Sequence, residues 1–142
     1  ANSSCHYPRR EYEMPAEILV IEDLPANPKL LTVLLEAFGY SVRAAEDGLT
    51  GLQAAREQRP DLVLCDLLMD GLDGFGVARE MRSDETLKNI PLVAVTALVT
   101  DGVEKKVLAS GFDGYISKPI EVRKFVPQLE QYLPEDLRAS AD

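Results

Sequence analysis

The chain has 142 residues, 46% of them hydrophobic, enough for one globular domain with a real core and too short for a second of comparable size. Its 24 acidic against 15 basic residues give a formal charge of -9, which disfavours direct nucleic-acid binding, since displacing phosphate counterions needs a basic face. No apolar run approaches the roughly 20 residues that cross a bilayer, and the opening ANSSCHYPRREYEMPAE is too polar for a signal-peptide core, so the expectation is a cytoplasmic protein without a membrane partner.

Residues 1 to 16 are polar and aperiodic and read as a flexible leader; they contain Cys5 and the single histidine, His6, which has no second histidine nearby to form a metal site or a catalytic dyad. The body of the domain is expected over 17 to 133. From Ile18 onward, apolar runs alternate with amphipathic stretches, the pattern of repeated βα units around a parallel sheet. The first strand is expected over Ile18 to Ile21. Leu31, Leu34, Leu35 and Phe38 then recur at the spacing of one helix face, with Gly39 as its stop. Val42 to Ala45, within the less apolar SVRAA, reads as a second strand at a sheet edge. A helix follows Asp47, and Leu62 to Cys65 forms a third strand, nearly all apolar as a doubly covered strand should be, with Cys65 as a small core residue.

The glycines of DGLDG read as turn residues, since no G-x-G-x-x-G or P-loop pattern accompanies them, and another helix follows Phe75. Leu92 to Val95 is the fourth strand, a helix after Asp101 ends near Gly111, and Gly114 to Ile116 is the fifth strand. Val122, Phe125, Val126 and Leu129 mark one face of the last helix, in which Pro127 removes a backbone donor and predicts a kink or a late start. Residues 134 to 142 read as a flexible tail.

Open α/β sheets bind ligands beyond the carboxyl ends of their strands. Glu22 and Asp23 follow the first strand, Asp66 the third, Thr96 the fourth, and Lys118 lies just past the fifth, so three carboxylates, a hydroxyl and an ammonium share one rim. Each is ordinary alone: Glu22 and Asp23 could open a helix, Asp66 could cap a loop, Thr96 could serve a turn, Lys118 could be a solvated charge, and Tyr115 could be packing. Together they have a chemistry. Carboxylates this close repel unless a hard cation such as Mg²⁺, which prefers oxygen ligands, sits among them. Lys118 and Thr96 add a charge and a donor that suit a phosphoryl group, and Asp66, central in the sheet, is the best placed nucleophile for accepting it.

ILVIED at 18 to 23, DLVLCDLLMDGLDG at 61 to 74, VAVTA at 93 to 97 and YISKP at 115 to 119 resemble, in order and interval, the receiver domains of two-component response regulators. The resemblance spans about Glu17 to Leu133, and the PANPKLL helix and the ending at the fifth helix look most like single-domain regulators of the DivK type. It implies a flavodoxin-like, doubly wound (βα)5 fold with a five-stranded parallel sheet in the order 2-1-3-4-5. It also implies Asp66 as phosphoacceptor and a Mg²⁺ site, open to Mn²⁺ as a substitute, made by Asp23, Asp66 and the Leu68 carbonyl, with Glu22 acting through water. Thr96 and Lys118 become the phosphoryl contacts, and Tyr115 the aromatic that changes rotamer with Thr96 on activation. The implied partners are a sensor histidine kinase or a histidine phosphotransfer protein, and a downstream protein target that reads the fourth helix, fifth strand and fifth helix, about Asp101 to Leu133. Such a domain catalyses its own phosphotransfer and dephosphorylation without being a turnover enzyme. Asp70, where the family often has proline, and Pro127 depart from the pattern and bear on partner choice.

Two rivals differ in class. A dehalogenase-like phosphatase would also use an Asp nucleophile, but it needs a second acid two residues later, where this chain has Leu68. A phosphorylation-independent interaction module would use the same fold and signal through its surface alone.

Overall fold

The computed structural model describes residues 16–23, 26–69, 71–97 and 101–138. Five parallel strands, β1 (Glu17–Ile21), β2 (Ser41–Ala45), β3 (Leu62–Cys65), β4 (Leu92–Thr96) and β5 (Gly114–Ser117), form one sheet in the order β2-β1-β3-β4-β5. The register is continuous across the sheet, with Ile21 beside both Ala45 and Cys65, Cys65 beside Ala94, and Thr96 beside Ser117. This is the flavodoxin-like arrangement that the family resemblance implies, and the less apolar β2 lies at an edge as expected.

Strand alternation divides the core in two, because successive side chains point to opposite faces of a sheet. Leu19, Ile21, Val63, Cys65, Leu92 and Ala94 face one way, toward α2 (Gly48–Glu57), α3 (Gly74–Ser83) and α4 (Val103–Ala109), which supply Leu52, Val77, Met81 and Val107. Ile18, Val20, Leu62, Leu64, Val93, Val95 and Ile116 face the other way, toward Leu31 and Leu35 of α1 (Ala26–Ala37) and Phe125, Val126 and Leu129 of α5 (Val122–Glu130). Strands covered on both sides have no solvent face, which is why β1, β3 and β4 read as unbroken apolar runs.

Several boundaries differ from the sequence reading for local reasons. Four strands are extended by one polar residue each, Glu17, Ser41, Thr96 and Ser117, because backbone pairing continues past the apolar run; Thr96 is the last residue of β4 rather than the first after it. Helix α1 ends at Ala37, and the chain turns through Gly39 at φ 97°, so Phe38 leaves the helical face and is exposed. Val122, the first residue of α5, is also exposed, while Phe125, Val126 and Leu129 are buried as expected. Pro127 lies inside α5 without displacing its start, since the helix already begins at Val122. Helix α3 begins at Gly74, before Phe75, because the Asp73 carboxylate accepts the Gly76 N–H at 2.9 Å and caps it.

At the far end of the molecule, the buried Tyr40 hydroxyl donates to the buried Glu130 carboxylate, tying the turn after α1 to α5. Beyond Leu133 the chain continues in a 3-10 turn, Glu135–Leu137, whose Leu137 packs against the α1/α5 side of the core, so part of the expected tail is folded onto the domain. Cys5, His6 and Asp70 lie outside the described residues. No described helix is long and apolar enough to cross a membrane.

Candidate functional site

The sheet ladder itself carries two of the acidic residues to the rim. One residue beyond β1, the Glu22 N–H donates to the Ala45 carbonyl at 3.0 Å; one residue beyond β3, the Asp66 N–H donates to the Ile21 carbonyl at 3.0 Å. These bonds fix the backbone of both residues as firmly as if they were strand. On the other side, the Lys118 N–H donates to the Thr96 carbonyl at 2.8 Å, so the lysine enters the site from an anchored backbone.

Side chains converge accordingly. One carboxylate oxygen each from Glu22, Asp23 and Asp66 lie within 4.8 Å of one another. Glu22 and Asp66 are buried at 3% and 6% exposure, whereas Asp23 is partly open to solvent. The Lys118 ammonium is 2.9 Å from Glu22 Oε2 and 3.6 Å from Asp66 Oδ2. Thr96 is buried, and Tyr115, one strand across, is partly buried against the α2/α3/α4 side of the core. The Leu68 N–H donates to Asp66 Oδ1 at 3.2 Å, turning the chain back over the acid it follows, while the Leu68 side chain points outward. The structure therefore brings Glu22, Asp23, Asp66 and Lys118 into direct proximity and sets Leu68, Thr96 and Tyr115 on the elements that surround them.

The electrostatics are unbalanced. Three carboxylates face one ammonium, and taking charges out of water is costly unless they are fully compensated. Burial pushes the Glu22 carboxyl above its usual range; the hydrogen bond from Lys118 opposes the rise, and the neighbouring Asp66 adds to it. Glu22 Oε1 is buried with no hydrogen-bond partner among the described residues. An all-oxygen donor set with excess negative charge, one orphaned buried oxygen and one carboxylate open to solvent fits a hard divalent cation that retains some of its water. It does not suit the softer metals that favour imidazole and thiolate, such as Zn²⁺ or copper, since no described His or Cys joins the cluster. Cys65, next to the site in sequence, is wholly buried; its thiol donates to the Asp66 carbonyl at 3.3 Å, and desolvation pushes it well above the usual thiol range, so it stays a protonated core residue.

Two features were not legible beforehand. The closest partner of Lys118 is Glu22 rather than Asp66, a matter of one strand's spacing that no motif encodes. Asp73 lines a cleft of about 290 Å³ with Asp23, Leu67, Leu68 and Met69, and a sequence signal for its structural part did exist: Asp before a glycine-led helix is a capping pattern. The glycines of DGLDG also divide differently from expectation. Only Gly71, at φ 75°, serves a turn that demands glycine; Gly74 is the first residue of α3 and sits close against the Asp66 backbone.

Comparison with known proteins agrees with this geometry. The family model for the response regulator receiver domain matches residues 18–130. The polar-differentiation response regulator DivK of Brucella anthropi is 39% identical over 120 residues, covering 84% of this chain and 98% of that protein. DivK of Brucella ovis is 38% identical over the same extent. Among solved structures, the receiver domain of a sensor histidine kinase from Pseudomonas aeruginosa, with a magnesium ion coordinated in its active site cleft, is similar at a TM-score of 0.76 and 31% identity over 83% of this chain and 97% of that one. The chemotaxis protein CheY4 of Vibrio cholerae shares the fold at a TM-score of 0.79 and 24% identity, over 84% of this chain and 99% of that one.

Proposed function

The chain belongs to the response regulator receiver family, and from that premise we propose that Asp66 accepts a phosphoryl group from a phosphohistidine of a sensor histidine kinase or a histidine phosphotransfer protein. The observation that carries this reading is the rim itself: a buried central carboxylate, two further carboxylates within 4.8 Å, and an ammonium 3.6 Å away.

A carboxylate oxygen of Asp66 attacks the phosphorus in line with the leaving imidazole nitrogen; the new O–P bond forms as the N–P bond breaks, and its electron pair stays with the imidazole. Glu22, Asp23, Asp66 and the Leu68 carbonyl would hold Mg²⁺, or Mn²⁺ in its place, with Glu22 reaching it through water. Bound there, the cation supplies neutralisation of the charge on the transferring oxygens. Lys118 holds those oxygens from the opposite side, and Thr96 donates its hydroxyl to one of them. Release of the group by water returns Asp66 to a carboxylate.

The charge added at Asp66 is read as a change of surface. Thr96 is drawn toward the phosphoryl group, Tyr115 takes the space this opens, and the face made by α4, β5 and α5, within Asp101 to Leu133, changes its affinity for a downstream protein. The acidic composition and the absence of a membrane-length helix among the described residues suit a cytoplasmic protein-to-protein signal without direct nucleic-acid contact.

The test is to incubate the full chain with Mg²⁺ and a small phosphodonor and follow incorporated phosphate. Labelling of wild type up to one group per chain, absent in Asp66→Asn and in wild type stripped of divalent cations, supports the reading. Absence of labelling and of Mg²⁺ binding in wild type would leave the phosphorylation-independent module. Sustained release of phosphate from unrelated monoesters would favour the phosphatase.

A further inference from the structure

From the close packing around the loop between β3 and α3, we infer that Leu72, seated between Gly48 of α2 and Gly76 of α3, is the positioning residue that fixes the Asp66 carboxylate and the Leu68 carbonyl. This rests on the metal and phosphoryl reading of the same rim.

The loop must hold a short path from the end of β3 at Cys65 to the cap of α3 at Asp73. Three contacts pin it. The Leu68 N–H reaches back to Asp66 Oδ1 at 3.2 Å, and the Gly74 N–H to the Leu67 carbonyl at 3.1 Å. The third is Leu72, partly buried and packed against the core on the α2/α3/α4 side. A Cβ placed on Gly48 would lie 2.5 Å from the Leu72 carbonyl oxygen and 3.0 Å from Leu72 Cβ. A Cβ on Gly76 would lie 2.3 Å from Leu72 Cδ1 and 3.1 Å from its Cγ. Neither glycine has a positive φ, so neither is required by its own backbone. In a helix, glycine is otherwise a liability relative to alanine, so close packing is the physical reason for both: Leu72 crowds Gly76, and Leu72 together with Val77 Cγ2, at 3.0 Å, crowds Gly48.

The two glycines act on different parts of the loop. A methyl on Gly48 would meet first the Leu72 backbone, which cannot turn aside, and then Val77 Cγ2 at 3.0 Å; a methyl on Gly76 would meet the far end of the Leu72 side chain, which can partly rotate away. A methyl on Gly48 therefore displaces the main chain that leads back to Leu68. Because groups that orient a metal ligand commonly matter about tenfold or more in affinity, Gly48→Ala is expected to weaken Mg²⁺ binding about tenfold and Gly76→Ala less.

The experiment measures Mg²⁺ affinity by calorimetry, thermal midpoint, and amide exchange at Leu68 and Gly74, for wild type, Gly48→Ala, Gly76→Ala, Leu72→Ala, Leu72→Met and the Gly76→Ala/Leu72→Ala double variant. The expected result is weaker Mg²⁺ binding in both glycine variants and in Leu72→Ala, with exchange at those two amides accelerated beyond that at amides of β1 and β4, so that the lower thermal midpoint expected from overfilling or emptying a packed seat does not account for it. Leu72→Met, which refills the seat, keeps wild-type affinity. The Gly76→Ala/Leu72→Ala double variant is no weaker than the weaker single one, because both changes act on one contact. Wild-type affinity and exchange in Gly48→Ala would overturn the inference. The exchange readout needs no metal: if wild type bound no Mg²⁺, the proposed function would fall, while the exchange at Leu68 and Gly74 would still decide whether Leu72 holds the loop.

Discussion

Lys118 carries a burden at the residue scale that its exposed neighbours do not. Only 17% of its side chain is exposed, and it lies 2.9 Å from Glu22 and 3.6 Å from Asp66. Removing one partner of such a cluster leaves the other charges buried and uncompensated, so Lys118→Met, which keeps most of the stem, is expected to cost about 3 kcal/mol in urea denaturation at neutral pH. The pH dependence follows from Glu22. Its carboxyl is raised above 4.5 in the folded protein, chiefly by burial, so its proton stabilises the native state at low pH, and that stabilisation is lost as pH rises through the folded value. The cost of Lys118→Met should therefore shrink as pH falls from neutral toward 4.5 and below. An equal cost across that window would contradict the assignment of Glu22 as the group that Lys118 compensates.

At the scale of elements, burial separates residues that share one sequence period. Phe125 and Val122 lie on the same apolar stripe of α5, yet Phe125 is fully buried and Val122 is 58% exposed. Phe125→Ala should cost about 3–5 kcal/mol in denaturation measurements, and Val122→Ala no more than about 0.5. The periodicity that located the helix did not mark where its first turn leaves the core, because position along the axis is set by tertiary contact. The same limit applies to Phe38, whose spacing continues α1 although the chain has already turned. What was legible at this scale were the doubly covered strands, whose apolar runs need no partner to be recognised, and the glycine stop of α1. An ion pair between elements was not. Arg56 of α2 meets Asp84 at 2.9 Å, and that bond, with hydrogen bonds from Thr86, lowers the Asp84 carboxyl from 3.8 to about 2. A depressed acid contributes stability that is present above its ordinary value and lost as pH falls through the folded one. The difference in urea midpoint between wild type and Asp84→Asn is thus expected at pH 6 and should vanish near pH 2.

For the whole molecule, the sheet topology explains why residues about a hundred positions apart form one site: parallel strands end on the same edge, and Glu22, Asp66, Thr96 and Lys118 each stand at or just past an end. The site residues were legible for this reason, since an apolar run followed by a polar group marks a strand end directly. Their pairing was not, because which carboxylate takes the lysine depends on spacing across the sheet. Leu72 and its two glycines were likewise silent, since a close approach between elements leaves no periodic trace. A site held by the fold also couples to it. Mg²⁺ at about 100 times its dissociation constant should stabilise the native state by about 2.7 kcal/mol, seen as a rise in thermal midpoint that Asp23→Asn diminishes; no rise with wild type would contradict a cation site at this rim.

The most direct measurement is to locate the phosphoryl group. Wild type is incubated with Mg²⁺ and a small phosphodonor, and the acyl phosphate is reduced with borohydride, which converts a phosphorylated aspartate to homoserine; the peptides are then read by mass spectrometry. Homoserine at position 66, and at no other aspartate, is the expected result. Homoserine at Asp23 or elsewhere, or none in protein that has been shown to bind Mg²⁺, would contradict the account.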